Sequence, residues 1–292
     1  MNPYVFMTDS DSDLPFGYVD KLEMHMVYMP YIVDGKEYPD DLGRSGGQKA
    51  YFDAMRAGAA PSTSLLPTGV YLETFEPIFQ AGKDILFVAF SSQLSGTIQN
   101  IYAAREELLE KYPERKMIVV DTLSISAPQS ILVLKAHEMY RAGKTMEEVA
   151  QWLEENKLRA QAWFTVDDLK YLRRGGRIGA VAATMGTLLD LKPIITENRE
   201  GKLVSTDKVR GRKAALRLIA DRAAENIDDP ANAMPVIMHA DAEEDAQRLE
   251  KLLRERCPEL GEIMTWYVGP VIGAHCGPGT VAVCYFGKER AQ

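Results

Sequence analysis

The chain has 292 residues, a formal net charge of −8, 46% hydrophobic residues and 26% charged residues. A chain of this length forms one large or two modest domains and buries a sizeable core. The acidic balance argues against nucleic acid as the main partner, and the lack of any run of 18 apolar residues argues against a membrane span.

The first half of the chain alternates predicted strands with predicted helices, which is typical of an α/β domain with a mostly parallel sheet. Apolar runs predict strands at residues 4–7, 28–33, 84–90 and 117–120. Helical spacing of apolar residues predicts helices at residues 48–55, 69–80, 98–111 and 128–141. Thr145 and Glu148 form a capping box that begins another helix. We expect Pro77 to kink or shorten the helix that contains it.

The second half has a different order of elements, so we place a domain boundary near residue 158, which gives domains at residues 1–158 and 159–292. A long amphipathic helix is predicted at residues 208–227, and another helix at residues 242–256. Residues 268–280 are rich in glycine and proline and predict a loop. The remaining apolar runs predict strands at residues 162–166, 188–195, 202–206, 235–239, 262–267 and 281–286.

Two hydroxyl-rich turns each precede a predicted helix. One of them, residues 90–97, follows a buried strand and contains Ser95 and Gly96. The first N–H groups of a helix lack intrahelical partners, so such a turn is suited to an anion or a carboxylate. Thr63 lies in the second turn, and a third polar turn carries Asp9, Asp11 and Asp13. We interpret the aspartates as turn-forming residues, with a Mg²⁺ site as the weaker alternative.

The four histidines differ in their sequence context. His25 and His239 adjoin apolar runs and are expected at core or edge positions, whereas His137 is expected on a solvated helix face. His275 lies between Gly273 and Gly277, whose lack of side chains leaves space around it, and we interpret it as functional.

Three hypotheses use these groups. A carboxylate cradle would consist of Thr63, Ser95, the amide of Gly96 and His275, with an apolar tail supplying most of the affinity. An acyl hydrolase would use Ser95 as nucleophile and His275 as base, although Leu94 stands where a nucleophile elbow needs a small residue. A phosphate- or nucleotide-binding domain would use the same turns, but no phosphate-loop or dinucleotide motif supports it.

Basic residues concentrate in two stretches of an otherwise acidic chain. They indicate either a solvated face or a patch that steers an acidic or nucleotide-carrying partner. These residues are Arg173, Arg174, Arg177, Lys208, Arg210, Arg212, Lys213 and Arg217.

Six stretches, in order along nearly the whole chain, resemble the DegV family of bacterial fatty-acid-binding proteins, which includes the FakB-type subunits of fatty acid kinase. The stretches are residues 8–15, 61–64, 91–97, 171–178, 191–194 and 269–279.

The resemblance implies a first α/β domain with a mostly parallel sheet and a second, smaller domain with a mixed or antiparallel sheet. It implies that a long-chain fatty acid is enclosed, that Thr63, Ser95 and His275 bind its carboxylate, and that Arg177 and Arg210 face the kinase. A separate ATP-dependent kinase subunit would then make acyl phosphate for phospholipid synthesis. No catalytic residue, metal or cofactor is expected in this chain.

The chain departs from the family pattern at residues 126–130, where two glycines are absent, and at Ile98 and Cys276. The first departure affects packing beside the acyl chain rather than the head-group contacts. We expect a cytoplasmic protein, because an odd number of cysteines, three, without a recognisable secretory segment suits a reducing compartment better than a disulfide framework. Transient contact with a membrane surface is also expected.

Overall fold

The computed structural model describes residues 3–179, 181 and 190–291. Within these ranges, the first half of the chain forms a parallel sheet with the strand order β2-β1-β6-β7. Its central strands are apolar and buried on both faces, as expected for a parallel sheet covered by helices. The four strands are β1 (Tyr4–Asp9), β2 (His25–Val27), β6 (Asp84–Ala89) and β7 (Met117–Asp121).

A small antiparallel sheet with the order β4-β3-β5 lies beside the parallel one. The turn at Asp34 and Gly35, both with positive φ, joins β3 to β4. Tyr31 pairs with Thr63, so the short strand β5 holds Thr63 in a defined position. The strands are β3 (Pro30–Val33), β4 (Lys36–Pro39) and β5 (Ser62–Thr63).

Six helices of the described residues belong to this half of the chain. The capping box at Thr145 and Glu148 is confirmed, since Oγ1 of Thr145 accepts from the Glu148 N–H. The expected shortening by Pro77 is wrong, because the helix continues through it to Gln80. The helices are α1 (Phe16–Leu22), α2 (Gln48–Arg56), α3 (Thr68–Gln80), α4 (Thr97–Lys111), α5 (Ser126–Arg141) and α6 (Met146–Asn156).

The second half of the chain builds a mixed sheet with the strand order β10-β9-β8-β13-β11-β12. All neighbouring strands are antiparallel except β11 and β12, which are parallel. The strands are β8 (Ala160–Thr165), β9 (Leu191–Glu197), β10 (Leu203–Arg210), β11 (Val236–His239), β12 (Met264–Tyr267) and β13 (Val281–Phe286).

Four helices of the described residues accompany this sheet. Apolar residues of α8 and α9 bury against one of its faces. The other face belongs to a core that includes residues of both halves, among them Phe6, Ile131 and Phe164. The helices are α7 (Lys170–Arg174), α8 (Arg212–Asn226), α9 (Glu243–Arg256) and α10 (Pro270–Cys276).

Helix α5 contacts strands of both sheets and is buried along nearly its whole length. The expectation that His137 lies on a solvated face is therefore wrong. His137 is only 3% exposed and its ring packs against those of Phe6 and Tyr140. His137 lies on the side of α5 that packs against β1, and the exposed side of this part of the helix carries Glu138 instead.

Two other predictions are corrected. Residues 208–210 do not begin a helix; they pair with β9 as the end of strand β10, and α8 begins only after Gly211, whose φ is +84°. The predicted loop at 268–280 contains α10, so His275 lies in a helix. Part of the strand predicted at 188–195 lies outside the described residues, which resume at 190.

Candidate functional site

A cavity of about 270 Å³ lies between the polar turns of the first half and one face of the mixed sheet. A single buried water needs only about 10–15 Å³ by such a measure, so this is far larger than a packing defect. Its lining is mostly apolar. The sheet contributes Ala162, Phe164, Leu203, Met238, Ala282 and Cys284.

Strand register explains why these sheet residues share one face. Phe164 pairs with Ala282, and Ala162 pairs with Cys284. Directly opposed residues of antiparallel strands point to the same side, and residues two apart on a strand do so too. The sheet therefore presents a continuous apolar wall to the cavity.

Polar groups gather at the other side of the cavity. Thr63, at the end of β5, and His275, in the last turn of α10, are joined by a 2.9 Å hydrogen bond between Oγ1 and Nε2. Their separation in sequence is 212 residues, and packing of α10 against β5 brings them together. The predicted pair is thus in direct contact and lines the cavity.

Gly175 makes room for the imidazole of His275. A Cβ atom on Gly175 would lie 2.1 Å from His275 Nδ1, far inside contact distance. Nδ1 is buried and has no hydrogen-bond partner among the residues that the structure describes. Only Nε2, already bonded to Thr63, is presented to the polar end of the cavity.

Ser95, Gly96 and Thr97 line the cavity at the N-terminus of α4. The hydroxyls of Ser95 and Thr97 are 2.8 Å apart, and Ser95 Oγ also accepts from the Thr97 N–H. Gly96 directly precedes the helix, whose first N–H groups have no partners within the helix itself. The turn thus supplies the hydroxyl and amide donors that the sequence predicted.

Arg177 and Arg210 lie in different settings. Arg177 is half-buried and lines the cavity, and its guanidinium donates to the carbonyl groups of Leu94 and Gly175. Arg210 is exposed at the end of β10 and is outside the set of residues that line the cavity. The structure therefore brings Arg177, but not Arg210, to the polar cluster.

His275 is held in its neutral form. Burial lowers the pKa of His275 to about 4, and the positive charges of Arg177 and Arg174 add to this effect. A neutral imidazole bonded to Thr63 positions a head group without adding a charge of its own.

The geometry gives no support to a Ser/His hydrolase. Within the described residues, Ser95 Oγ bonds to Thr97 and not to His275, whose Nε2 is taken by Thr63. Gly175 stands against Nδ1, where an orienting carboxylate would have to be. The nucleophile–base and base–acid contacts of a triad are both missing from this arrangement.

The acidic turn after β1 is buried. Asp9 accepts from the Phe90 N–H and from Gln129, and Asp13 accepts from the Gly269 N–H and from Ser126. Burial raises the pKa of Asp9 to about 6 and that of Asp13 well above its usual value. In the ranges that the structure describes, no cluster of three or more histidine, cysteine or acidic residues is arranged to hold a metal ion.

Several lining residues were missed from the sequence. Asp11 is predicted as a turn residue or, less favoured, a Mg²⁺ ligand, yet it lines the cavity, and so does Leu65, which is 47% exposed. Leu65 adjoins the predicted Thr63 turn, so its place could have been inferred from that proximity. Gly175 carried no usable signal, because its role depends on a contact with a residue 100 positions away.

No helix of the described residues is both long and apolar enough to cross a membrane.

Comparison with known proteins places this chain in a family. Residues 5–288 match the DegV family, described as a family of uncharacterised proteins. A DegV domain-containing protein of Clostridium perfringens is 39% identical over 290 residues, which cover 99% of each chain.

Solved structures agree in fold over the full length. A DegV family protein from Thermus thermophilus, described as binding fatty acid, is 30% identical with a TM-score of 0.86, and the match covers 98% of this chain and 99% of that one. A fatty acid binding DegV family protein from Streptococcus agalactiae is 28% identical with a TM-score of 0.86, covering 99% and 100%. The chain described here therefore belongs to the DegV family.

Proposed function

We propose that this protein binds a long-chain fatty acid, with the hydrocarbon tail in the cavity and the carboxylate at Thr63, Ser95, Gly96 and His275. The observation that supports this proposal is a cavity with an apolar wall and a cluster of hydroxyl, amide and imidazole groups at one side. Each buried methylene contributes about 0.8 kcal/mol, so the tail supplies most of the affinity. The fatty acid binding described for the relatives from Thermus thermophilus and Streptococcus agalactiae supports this assignment.

Hydrogen-bond donors hold the negatively charged carboxylate of the fatty acid. Hydrogen bonds to a charged group contribute about 1.5–3 kcal/mol each, which is enough to fix the position of the carboxylate. Because burial lowers the pKa of His275 to about 4, the imidazole bears no charge that would neutralise the carboxylate. The bound carboxylate stays nucleophilic.

Lipid extraction tests the assignment. Native protein is extracted with organic solvent, and the extract is analysed by mass spectrometry for a long-chain acid at one equivalent per chain. Thr63→Val should retain markedly less acid, because it removes the hydroxyl and preserves the side-chain shape. Thr206→Val, an exposed position on β10, is the control. Finding no fatty acid in repeated preparations of the wild-type protein would contradict the assignment.

We further infer that the protein is not itself the catalyst and presents the acyl carboxylate to a separate ATP-dependent fatty acid kinase. Arg177 at the cavity and the exposed Arg210 are the basic groups proposed to face that partner. Transient contact with a membrane surface, with Leu65 at the cavity mouth, would load the acid.

Presentation is tested by mixing the loaded protein with a purified kinase subunit and ATP and measuring acyl phosphate. Arg210→Ala should lower the rate without lowering fatty acid content, because the exposed arginine is outside the set of residues that line the cavity described above. Arg248→Ala, exposed on α9, should leave the rate unchanged. Equal rates for both variants would remove Arg210 from the proposed partner surface, and ester hydrolysis lost in Ser95→Ala would instead support the hydrolase.

A further inference from the structure

Asp11 is a buried residue at the cavity, and its carboxyl group is not yet assigned a role. It lies in the 3₁₀ turn Ser10–Ser12, directly after the central strand β1, and is only 4% exposed. Its side chain lines the cavity, and Oδ1 has no hydrogen-bond partner among the described residues. Buried polar atoms are nearly always bonded, so an unpartnered one that faces a cavity points to a ligand.

The neighbouring Arg177 does not form an ion pair with the Asp11 carboxyl group. Among the ion pairs of the described residues, none joins Asp11 to Arg177, whose guanidinium donates to the carbonyl groups of Leu94 and Gly175. A charged carboxylate left unpaired at this depth would be costly, so the group favours its neutral form. Burial, followed by repulsion from Asp9, Asp40 and Asp13, raises the pKa of Asp11 well above its usual value, and Arg177 opposes this.

We propose that Asp11 is a further head-group residue, whose protonated carboxyl group donates a hydrogen bond to the carboxylate of the bound fatty acid. This inference rests on the fatty-acid binding proposed above. A carboxylate has about four acceptor positions, which Thr63, Ser95 and the Gly96 amide do not fill. The O–H of Asp11 adds a donor from the turn after β1, and the ligand keeps its negative charge.

Retention of the fatty acid consequently depends on pH. When Asp11 loses its proton, it stops donating and places a second negative charge beside the ligand. The affinity contributed by Asp11 is therefore present at low pH and is lost as the pH rises through the pKa of Asp11.

Other titratable groups face Asp11 and have to be separated from it. Burial raises the pKa of Asp9 to about 6 and that of Asp40 to about 7, so both titrate in an overlapping range. His275 titrates near 4, below that range. The charged or titratable groups around Asp11 are Asp9, Asp13, Asp40, Tyr71, Arg177 and His275.

The test is fatty-acid affinity as a function of pH. Delipidated wild type, Asp11→Asn and Asp11→Ala are titrated with the fluorescent fatty acid cis-parinaric acid between about pH 6 and 9. Asparagine keeps an N–H donor that does not titrate, so the ratio of wild-type to Asp11→Asn affinity should fall as the pH rises. The ionisation of the probe itself cancels in this ratio. Asp11→Ala should bind at least about tenfold more weakly than wild type at low pH.

Asp40→Asn is the control for a neighbouring buried aspartate. It keeps Asp11 and removes a charge that raises the pKa of Asp11, so its affinity should still fall with rising pH, with the fall displaced to lower pH. A flat ratio for Asp11→Asn would overturn the proposal, even if the variant binds more weakly, because a purely structural role does not generate that profile. Melting temperatures identify any variant that fails to fold, and the nearly isosteric Asp11→Asn keeps the test decisive if Asp11→Ala unfolds. Wild type that binds no probe at any pH would instead contradict fatty-acid binding itself.

Discussion

Gly175 determines where the imidazole of His275 can lie. Its φ of −74° is available to any residue, so the requirement for glycine comes from space and not from the backbone. A methyl group there would overlap His275 Nδ1 at 2.1 Å. The hydrogen bond between His275 and Thr63 therefore depends on the absence of one carbon atom at position 175.

Gly175→Ala should displace the imidazole and weaken fatty-acid binding about tenfold, which corresponds to one hydrogen bond to a charged group. Titration with a fluorescent fatty acid measures the effect. Gly17→Ala is the control, since no atom lies within 4 Å of its Cβ position in α1. Equal affinities for wild type and Gly175→Ala would show that the position of His275 does not matter for the head group.

His275 also makes the protein sensitive to acid. The folded-state pKa of about 4 lies below the ordinary value of 6.5, so protonation is unfavourable in the folded state. The contribution of the neutral imidazole to the free energy of unfolding is present above about pH 6.5 and is lost as the pH falls towards 4. The loss is at most about 3 kcal/mol.

His275→Gln should accordingly lose less stability than the wild type between pH 7 and pH 4. Urea unfolding of the delipidated proteins at both values measures the two losses, and the buried carboxyl groups, common to both proteins, cancel in the comparison. Identical losses would mean that His275 is protonated in the folded state at no cost.

The sequence could predict Thr63, Ser95 and His275 as candidates because each lies in a local pattern, either a hydroxyl-rich turn before a helix or a histidine between glycines. It could not assign Asp11 to the cavity or Gly175 to the contact with His275. Their roles come from contacts with residues far away in sequence, and a single chain carries no local signal of such contacts. His137 was misplaced for the same reason, since its burial depends on the packing of α5 against β1.

At the scale of elements, α10 is positioned by the glycine that ends it. Gly277 has φ 77° and ψ 167°, a region that residues other than glycine essentially avoid. A Cβ on Gly277 would also lie 2.1 Å from the ring of Tyr171 in α7. Both the backbone and the packing of α10 against α7 thus require glycine at this position.

Gly277→Ala should lower the free energy of unfolding by about 3 kcal/mol or more, from combined strain and overlap. Chemical denaturation measures the change. Gly82→Ala, with φ +74° and open space at its Cβ position, separates the two causes and should cost roughly 1–2 kcal/mol. If both variants lost the same amount, the contact with Tyr171 would contribute nothing.

Most helices and strands were predictable from the spacing of apolar residues and from glycine and proline at the ends of elements. The incorrect predictions have physical causes. Residues 208–210 look helical because basic residues continue into α8, but pairing with β9 overrides local preference at this edge of the sheet. Gly211 was the available signal of the break. In α10, Pro270 at the first helical position was a valid signal of a helix start, but Gly273 inside the segment favoured the prediction of a loop. That glycine is needed because a Cβ would lie 2.9 Å from the ring of Phe52.

At the scale of the whole molecule, Arg290 ties the two halves of the chain together near its end. It is 2% exposed, and its guanidinium donates to the Leu123 carbonyl of the first half and to the Ala160 carbonyl of the second. The positive charge also opposes the rise that burial causes in the pKa of Glu197, which is 1% exposed. The placement of the cavity between the halves depends on links of this kind.

Arg290→Met should therefore destabilise the protein by about 3–5 kcal/mol, because it removes the donors to the Leu123 and Ala160 carbonyls and the positive charge near the buried Glu197. Adding Glu197→Gln should restore part of the loss, since an amide costs less to bury than an unpaired carboxylate. Arg248→Ala, whose ion pairs are exposed, should change stability by no more than about 0.5 kcal/mol. Urea unfolding of the three variants provides the comparison. A double variant no more stable than Arg290→Met would show that the guanidinium acts through the carbonyl groups alone and that its charge does not support Glu197.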